Sequence, residues 1–454
     1  MTNENIACVC EQIHTLLTDN IPEIAKMTGF IKRNRKLTAL SFVRGLVFAW
    51  AENPDATLKE LASSVAIAGS SLAPQTLDKR FTESAALFLR QVLESIVRQK
   101  LRHVPTTLDF LSSFEQIYLF DSSTILLPPE LAKLWQGCGG TKGANAALKL
   151  HVGLEYRYGE LIGPQLSDGK RHDRSDSLHK GPFPGNSLVI NDLGYFSLKN
   201  FQQYEKDGTF WLSRLMINVH VYDESGQRID LIDFLPRQRG SSLDLPVLLG
   251  KKEKHKARLM ALRVPEEVES ERRRRLLYRA KRKGQTVSAK RLALCGWTLF
   301  VTSIRGTFLT PAKTLSLYRV RWQIELLFRL WKKDLKIGES RSQNVWRILC
   351  ELYAKLIGAL AQHKLLQVSC WKFADRSMEK ASRLIRKYLP AFEVALASEN
   401  KELMVKTVEL MVVGVEKTAR INKSKKTPRT WQLLLEIEND DTDLELYENM
   451  PLAA

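Results

Sequence analysis

The sequence predicts a mixed α/β protein in which helical regions flank a central region of alternating strands and helices. Over residues 1–107, apolar residues recur at spacings of three and four, as at Ile13 and Leu17, which indicates amphipathic helices. The next region has short apolar runs bounded by turn residues, which indicate buried strands. Helical spacing then returns. We therefore expect a helical N-terminal domain over 1–107, an α/β domain over 108–345, and a helical region over 346–454 that ends in an acidic tail.

Basic side chains outnumber acidic ones across the chain. The 454 residues include 69 Lys and Arg against 50 Asp and Glu, so the formal net charge is +19 at pH 7. An excess of this size favours a polyanionic partner, because a nucleic acid releases condensed counterions when cationic side chains bind it. The composition therefore points to nucleic-acid binding before any motif is considered.

Neither a signal peptide nor a membrane span is visible in the sequence. Polar side chains interrupt the first 20 residues, and no apolar stretch approaches the length of about 18 residues that a span needs. The six cysteines are scattered, and only Cys8 and Cys10 lie close together, without a second pair of ligands for zinc. We expect a cytoplasmic protein with reduced thiols, no zinc and no membrane partner.

A helix-turn-helix motif is predicted within the N-terminal domain. Thr57 is placed to cap a helix and Glu60 follows three residues later, which is the capping-box pattern. A turn at residues 69–71 separates this helix from a second one over 74–81. The second helix would present polar side chains to a DNA groove, including Gln75, Lys79 and Arg80. Two packed helices of a bundle are the alternative interpretation.

Two of the predicted strands end in a carboxylate. The apolar runs 114–121 and 186–192 end at Asp121 and Asp192, and a hairpin of two further strands is predicted within residues 147–166. An aspartate after a strand is more often a turn residue or a helix cap than a catalytic group. Neither acid is therefore informative by itself.

A strand-rich and then strongly basic segment follows. Strands are predicted from residue 210 to residue 233, after which residues 251–291 contain 16 Lys or Arg and 5 Glu. Because the arginines lack matching acids, this density suits a DNA-contacting arm or a charged helix beside DNA. A solvated helix with nothing bound is the alternative.

The most informative segment is a predicted helix over 315–336. At 100° per residue, a phenol, two cations and an acid fall on a stripe about 60° wide. An acid with these neighbours can bind a metal ion while the phenol and the cations hold phosphate oxygens. The four residues are Tyr318, Arg321, Glu325 and Lys332, and Arg329 lies on the edge of the same stripe.

Three acids on different elements can converge on one site. A sheet brings the ends of neighbouring strands together, and a later helix can pack over them. Three carboxylates can hold two hard divalent ions, Mg²⁺ or Mn²⁺, of the kind used in displacement at phosphodiesters. The candidates for these catalytic metal ligands are Asp121, Asp192 and Glu325.

The order of these residues resembles the DDE transposases of bacterial insertion sequences, and specifically insertion sequence family four. The family signature is Tyr, two residues, Arg, three residues, Glu, six residues and Lys, and the helix over 315–336 matches it at every interval. The segments that begin with Asp121-Ser122-Ser123 and Asp192-Leu193-Gly194 are similar to the segments around the family's two aspartates. The family often has Arg where this chain has Leu193, a supporting position.

The resemblance implies an RNase-H-like catalytic core with a strand-rich insertion at about 215–292. It also implies that Tyr318, Arg321 and Lys332 contact phosphates at the transposon end. Trp297 would stack on a flipped base beside the cleavage site, although core packing is the alternative because Trp297 lies in an apolar run.

The activity implied by the resemblance is cut-and-paste transposition. Metal-dependent hydrolysis would expose a 3′ hydroxyl at each terminal inverted repeat, and strand transfer would join it to target DNA. A homodimer on the paired ends is expected, with the C-terminal helices as the dimer contact. Two alternatives stay open: a stand-alone structure-specific nuclease, such as a junction resolvase, and a catalytically silent DNA-binding regulator derived from a transposase.

Overall fold

The structure is a computed structural model that describes residues 3–32, 36–99, 112–139, 144–306, 309–371, 373, 375–422, 430, 432 and 434. The predicted acidic tail, at residues 436–448, lies outside the described residues. The chain divides into two compact units. The first comprises Met1–Thr107, Asp121–His172 and Ile324–Ile421, and the second comprises Leu108–Phe120, Asp173–Gln323 and Asn422–Ala454.

The helices and strands of the described residues are numbered in chain order. The α-helices are α1 Asn3–Leu16, α2 Ile21–Met27, α3 Ala39–Glu52, α4 Leu58–Ile67, α5 Pro74–Asp78, α6 Glu83–Arg98, α7 Leu198–Lys206, α8 Leu231–Phe234, α9 Glu266–Arg282, α10 Ala289–Ala293, α11 Pro311–Arg319, α12 Trp322–Lys333, α13 Val345–Leu366, α14 Met378–Ala397 and α15 Lys401–Thr418. The strands are β1 Ile117–Leu127, β2 Ala146–Glu155, β3 Glu160–Asp168, β4 Leu188–Asn191, β5 Phe210–Arg214, β6 Val221–Tyr222, β7 Arg228–Ile229, β8 Ser242–Leu249, β9 His255–Arg263 and β10 Trp297–Thr302.

The N-terminal part of the first unit is helical, as its periodicity predicts. Helix α4 begins with the predicted capping box, in which Glu60 N–H donates to Thr57 Oγ1 at 3.3 Å and Thr57 N–H donates to the Glu60 carboxylate at 2.6 Å. Helix α3 is almost entirely buried and crosses α4 at Gly45. A Cβ atom at Gly45 would lie 2.5 Å from the Cα of Val65, so this crossing requires glycine.

The second helix of the predicted helix-turn-helix motif is shorter than expected. Helix α5 ends at Asp78 rather than at residue 81, and Arg80 N–H bonds to the Leu77 carbonyl three residues back. The chain must turn here because Thr82 already caps the next helix, accepting a hydrogen bond from Ala85 N–H. The prediction of a helix over 74–81 was therefore wrong in its C-terminal half.

Strands β2 and β3 of the first unit form the antiparallel hairpin predicted within residues 147–166. The turn contains Gly159, whose positive φ of 68° favours glycine. A Cβ atom there would lie 2.5 Å from the indole of Trp371, so the glycine also permits a close approach. Helix α13 is the most buried helix of the C-terminal part, with Cys350, Ala354 and Leu356 fully inaccessible.

The second unit contains a large mixed sheet. Its strands lie in the order β1-β4-β5-β10-β9-β8-β6-β7. The first three of these are parallel, and the pairs from β5 onwards are antiparallel. The strands of the predicted insertion, β6 to β9, therefore continue the sheet outward from β10. The predicted α/β class is confirmed. Among the described residues, no helix is both long and apolar enough to cross a membrane.

Candidate active site

Asp192 follows the buried parallel strand β4 in the second unit. The four residues of Leu188–Asn191 are buried, whereas the Asp192 side chain is 41% exposed. A short 3-10 turn, Leu193–Tyr195, begins directly after it, but the Asp192 side chain makes no capping hydrogen bond to that turn. The common alternative for an aspartate after a strand, a helix cap, therefore does not apply to Asp192. Its carboxylate is accessible for a ligand.

Tyr318 lies at the end of α11 with its hydroxyl beside Asp192. The Tyr318 hydroxyl donates a long hydrogen bond, 3.5 Å, to Asp192 Oδ1, and its ring packs on Phe300 at a centroid distance of 5.0 Å. Burial, and then the negative charge of Asp192, raise the pKa of Tyr318 well above its ordinary value. The phenol therefore stays protonated and acts as a donor.

Arg321 approaches the same carboxylate from the turn after α11. Its Nε lies 3.9 Å from Asp192 Oδ1, and its guanidinium carbon lies 5.9 Å from the centroid of the Tyr318 ring. Its side chain is only 15% exposed, so solvent screens this pair less than it would a surface pair. The structure thus brings together three of the predicted site residues at the end of β4.

A second group of predicted residues meets in the first unit. Asp121 lies on β1, where its Oδ1 accepts a hydrogen bond of 2.8 Å from Ser122 N–H. Lys332 Nζ donates to the carbonyl oxygen of Thr124 at 3.3 Å. Lys332 therefore lies against the strand that carries Asp121, three residues beyond the acid.

Helix α12 orients the remaining signature residues. Its hydrophobic face buries Ile324, Leu327 and Trp331, and Trp331 is a core residue as predicted. Glu325 and Arg329 are four residues apart on the opposite face, the first half-buried and the second exposed. Lys332 follows Arg329 by three residues and is also exposed. Trp322 is half-buried rather than a full core residue.

The prediction of one continuous helix over 315–336 was wrong. The chain forms α11 and α12, separated by a turn at Val320 and Arg321. Arg321 N–H bonds to the Tyr318 carbonyl at 3.1 Å and Gln323 N–H bonds to the Val320 carbonyl at 2.9 Å, both three residues back rather than four. Val320 and Ile324, at and after the turn, are both fully buried. The 60° stripe therefore does not exist across the turn.

Trp297 is the first residue of β10 and is 8% exposed. The guanidinium carbon of Arg263, its neighbour on β9, lies 4.9 Å from the centroid of the Trp297 ring. Stacking of Trp297 on a flipped base would require Arg263 to leave that ring. The observed environment favours the alternative that Trp297 is a packing residue, and its role in base stacking stays a prediction.

The polar residues of the helix-turn-helix segment are exposed. Gln75 lies on α5, and Lys79 and Arg80 follow its end, while Leu77 is buried. Ion pairs that the sequence did not predict hold both ends of the segment. Arg347 on α13 contacts Asp78 at 3.3 Å, and Lys336 and Arg341 contact Asp55. No sequence signal predicts these pairs, because their partners lie more than 260 residues apart.

Arg214 is a charged residue near Asp192 that sequence reasoning missed. It ends β5, and β4 and β5 are aligned so that Asn191 pairs with Ser213, which places Arg214 next to the position of Asp192. Its positive charge lowers the pKa of Arg272 and opposes the rise in the pKa of Tyr318. The signal that could have identified Arg214 is its position at the end of the strand that neighbours β4.

No bound ion defines the metal ligands directly. In the part of the chain that the structure describes, no group of three or more His, Cys, Asp and Glu side chains is arranged to hold a metal ion. The donors at Asp121, Asp192 and Glu325 are carboxylate oxygens, which are the ligands that Mg²⁺ and Mn²⁺ prefer. All three side chains are at least partly accessible. The residues therefore fit such an ion chemically, and their assignment as ligands stays a prediction.

Comparison with known proteins gives consistent matches. Residues 112–360, more than half of the chain, match the family model described as "Transposase DDE domain". The chain is 26% identical over 412 residues to the transposase for insertion sequence element IS231F of Bacillus thuringiensis subsp. israelensis, which covers 85% of this chain and 84% of the relative. It is also 26% identical over 374 residues to the transposase for IS1151 of Clostridium perfringens, covering 77% and 78%. The transposase for IS421 of Escherichia coli is 23% identical over 358 residues, covering 76% and 90%.

Proposed function

Because the chain belongs to the Transposase DDE domain family and is a DDE transposase of bacterial insertion sequences, we propose that it moves its element by metal-dependent cut-and-paste transposition. It would cleave DNA at the terminal inverted repeats and join the released ends to target DNA. The observation that carries this proposal is the placement of Tyr318 and Arg321 at Asp192, since an accessible acid with a protonated phenol and a cation beside it suits a phosphodiester substrate.

The proposed catalytic acids are Asp121, Asp192 and Glu325, which would hold two Mg²⁺ or Mn²⁺ ions. When bound, these ions supply stabilisation of charge on the attacking and leaving oxygens of a phosphodiester displacement. The matched family segment, residues 112–360, contains all three acids. An RNase-H-like arrangement of the core, in which β1 and β4 carry the two aspartates, belongs to the same proposal.

The neighbouring side chains would hold the substrate. Tyr318 donates a hydrogen bond from a hydroxyl that stays protonated, so it can donate to a phosphate oxygen without losing its proton. Arg321 offers a guanidinium that can bind two phosphate oxygens at once. Lys332 offers a mobile ammonium beside β1, and Arg329 lies one turn before it on the same face of α12. Together they would orient the scissile phosphate against the acids.

The reaction would take place as a series of phosphodiester displacements. Water first displaces the 3′ oxygen of the element end from its phosphate, which leaves a 3′ hydroxyl. That hydroxyl attacks a phosphodiester of the opposite strand, which closes a hairpin on the element end and releases the 3′ oxygen of the flanking strand. Water then opens the hairpin, and the regenerated 3′ hydroxyl attacks a phosphodiester of the target DNA, from which the 3′ oxygen of the broken target strand leaves. Each displacement needs the same kind of acids and phosphate contacts.

The other parts of the chain would recognise and pair the ends. The exposed residues Gln75, Lys79 and Arg80 would contact the terminal repeats, and two copies of the protein would bind the paired ends. Anchoring of the helix-turn-helix segment at Asp55 and Asp78 supports this role, since a fixed motif positions bound DNA relative to the rest of the first unit.

The test is cleavage and strand transfer with Glu325→Gln. Purified protein is incubated with Mg²⁺ and DNA that carries the element's terminal repeats, and nicks and joined products are measured separately. We expect Glu325→Gln to lower nicking by about 10³-fold, because the amide keeps the shape but loses the charge that binds a cation. Glu339→Gln is the matched control, since Glu339 is exposed and lies just after α12.

Each result has a defined meaning. Full cleavage by Glu325→Gln would show that Glu325 is not a metal ligand. Nicking without joined products, by the unaltered protein, would instead fit a stand-alone nuclease. Specific binding to the repeats without any nicking would fit a DNA-binding regulator.

A further inference from the structure

Helix α9 is attached to the sheet of the second unit through Arg272, near its middle. Arg272 donates to the carbonyl oxygens of Cys295 at 3.2 Å and Trp297 at 3.1 Å, and to the Thr298 hydroxyl at 3.0 Å. Burial of the guanidinium lowers the pKa of Arg272 to about 10. These contacts hold the middle of α9 against the start of β10.

The side of α9 opposite Arg272 is basic and exposed. At 100° per residue, Arg272, Leu276 and Ala280 lie on one side, and all three are half-buried. The half-buried Glu271 lies on the opposite side, about 120° wide, together with five exposed residues, Arg274, Arg275, Tyr278, Lys281 and Arg282. We call these five residues the basic face of α9. Tyr278 is at its centre and is 62% exposed.

The basic face carries more positive charge than the acids beside it neutralise. From residue 272 to residue 291 the sequence contains ten Lys or Arg and no Asp or Glu. Glu271 contacts both Arg274 and Arg275, and Glu269 contacts Arg273, so the sequence-based expectation of unmatched arginines was wrong for this end of the helix. In the part of the chain that the structure describes, Lys281 and Arg282 form no ion pair within 4.0 Å.

We propose that the basic face of α9 binds the phosphates of double-stranded DNA without reading its sequence. The face extends over nine residues and is therefore about 12 Å long, the axial length of about three to four base pairs. Lys281 and Arg282 contribute cations, and the Tyr278 hydroxyl can donate to a phosphate oxygen. The face has no Asn or Gln to bind adenine edges, and Glu271 holds Arg274 and Arg275, so phosphate contacts are favoured over readout of bases. This inference rests on the proposed function only in that its partner is DNA.

The same face does not suit a membrane. A helix that lies on a lipid surface needs a continuous apolar side to bury below the headgroups. Tyr278 is the single aromatic residue of the face and Leu277 lies beside its edge, while the half-buried side of α9 is occupied by the contacts of Arg272. Charge without an apolar side favours a nucleic acid.

The test compares two pairs of substitutions in α9 and at Lys283, the residue that follows it. Lys281→Ala with Arg282→Ala removes two charges from the basic face, and Arg273→Ala with Lys283→Ala removes two charges from outside it. None of the four side chains is buried and alanine favours helices, so both proteins are expected to fold. The full chain is titrated with a fluorescent duplex that lacks terminal repeats, over a series of KCl concentrations.

The expected results separate the two pairs. For Lys281→Ala with Arg282→Ala, the slope of log K against log[KCl] should fall by about 1.8, since each lost phosphate contact removes about 0.9. Affinity at moderate salt should fall about tenfold, and the off-face pair should show less than half of both effects. Equal effects of the two pairs, or no effect of either, would overturn the proposal.

Two further measurements test a lipid partner and separate this proposal from the proposed function. Vesicles that contain phosphatidylserine serve as the lipid probe, and loss of vesicle binding by the face pair with an unchanged DNA slope would overturn the proposal. Nicking of terminal-repeat DNA is measured on the unaltered protein in parallel. If nicking fails while the slopes differ as expected, the proposed function is wrong and the DNA contact of α9 stands.

Discussion

The two helices that share the signature residues differ in almost every physical respect. Helix α11 is a core element in which Thr314, Leu317 and Tyr318 are buried, and its polar end is a phenol beside Asp192. Helix α12 is amphipathic, and its polar side carries Arg329 and Lys332 into solvent. The turn between them separates residues that the sequence spacing assigns to one helical face.

The signature motif is divided between two helices, and its two parts contact different strands or strand ends. The α11 part of the motif contacts Asp192, which follows β4, while Lys332 on α12 contacts Thr124 on the strand that carries Asp121. Each helix therefore places one signature residue near a different aspartate: Tyr318 contacts Asp192 itself, and Lys332 contacts the strand that carries Asp121. Tyr318 is buried, whereas Lys332 is exposed.

The largest expected effect concerns how α12 is held at its C-terminal end. The chain after α12 is fixed by Lys355, a buried residue of α13 whose Nζ donates to the carbonyl oxygens of Lys336 at 3.1 Å and Glu339 at 3.0 Å and pairs with Glu351 at 2.6 Å. Lys355→Met should lower the free energy of unfolding by about 3 to 5 kcal/mol, because it leaves a buried carboxylate without its cation. Urea denaturation measures this.

A double substitution tests whether the charge is the cause. Lys355→Met combined with Glu351→Leu should recover much of the loss, since the unpaired charge is then absent. Lys387→Met, at an exposed position of α14, is the control and should change stability by less than about 0.5 kcal/mol. A cost below about 1 kcal/mol for Lys355→Met would mean that α12 does not depend on this anchor.

The second effect tests the exposed half of the motif. Under the proposed function, Lys332→Met should lower cleavage of terminal-repeat DNA by about 10²-fold, because it removes a cation assigned to the phosphate, while stability should hardly change at an exposed position. Lys333→Met is the matched control. Lys333 is the exposed neighbour of Lys332, and its closest acidic contact is with Glu379 at 3.9 Å. Equal loss in the two variants would indicate a general effect of charge and not a specific contact.

The smallest effect tests the buried half. Tyr318→Phe keeps the ring on Phe300 and removes the hydroxyl beside Asp192, so cleavage should fall about tenfold, the low end for a hydrogen bond to a charged oxygen because the observed bond is long, 3.5 Å. Tyr353→Phe makes the same change at a buried hydroxyl that accepts from Trp135, and should affect stability but not cleavage. If both variants lost cleavage to a similar extent, the loss in Tyr318→Phe could not be assigned to the position of its hydroxyl beside Asp192.

The pH dependence of the same variant adds a second readout. Burial and Asp192 raise the pKa of Tyr318 above its ordinary value of 10.0, so the phenol keeps its proton as the pH rises to that value. The ratio of cleavage rates between the unaltered protein and Tyr318→Phe should therefore be constant from about pH 7 to pH 10. A ratio that falls towards one in this range would mean that Tyr318 loses its proton there.

Sequence patterns predicted the structure correctly where neighbouring residues alone determine it. The capping box at Thr57 and Glu60, and the hairpin of β2 and β3, depend on neighbouring residues and are confirmed. The resemblance to DDE transposases of bacterial insertion sequences is likewise confirmed by the family match over residues 112–360. Spacing within a motif is a property of the sequence, so it identifies a family even when the implied geometry is wrong.

Structural features that depend on residues far apart in the sequence were not predicted. No Gly or Pro marks the turn at Val320, so no local residue signals the break between α11 and α12. The pairs of Asp55 with Lys336 and of Asp78 with Arg347 join residues that are 281 and 269 positions apart. Composition and periodicity hold no information on such pairs, because any of many exposed cations could serve.

By itself, the sequence determined the α/β class and the family, and it predicted which acids and cations serve the chemistry. These depend on residue type and on spacing along the chain. Only the tertiary structure decided that α11 and α12 are separate helices, that Tyr318 is buried at Asp192, and that Lys332 contacts Thr124 on β1. Burial of apolar side chains fixes the path of the backbone, and that path determines which side chains meet.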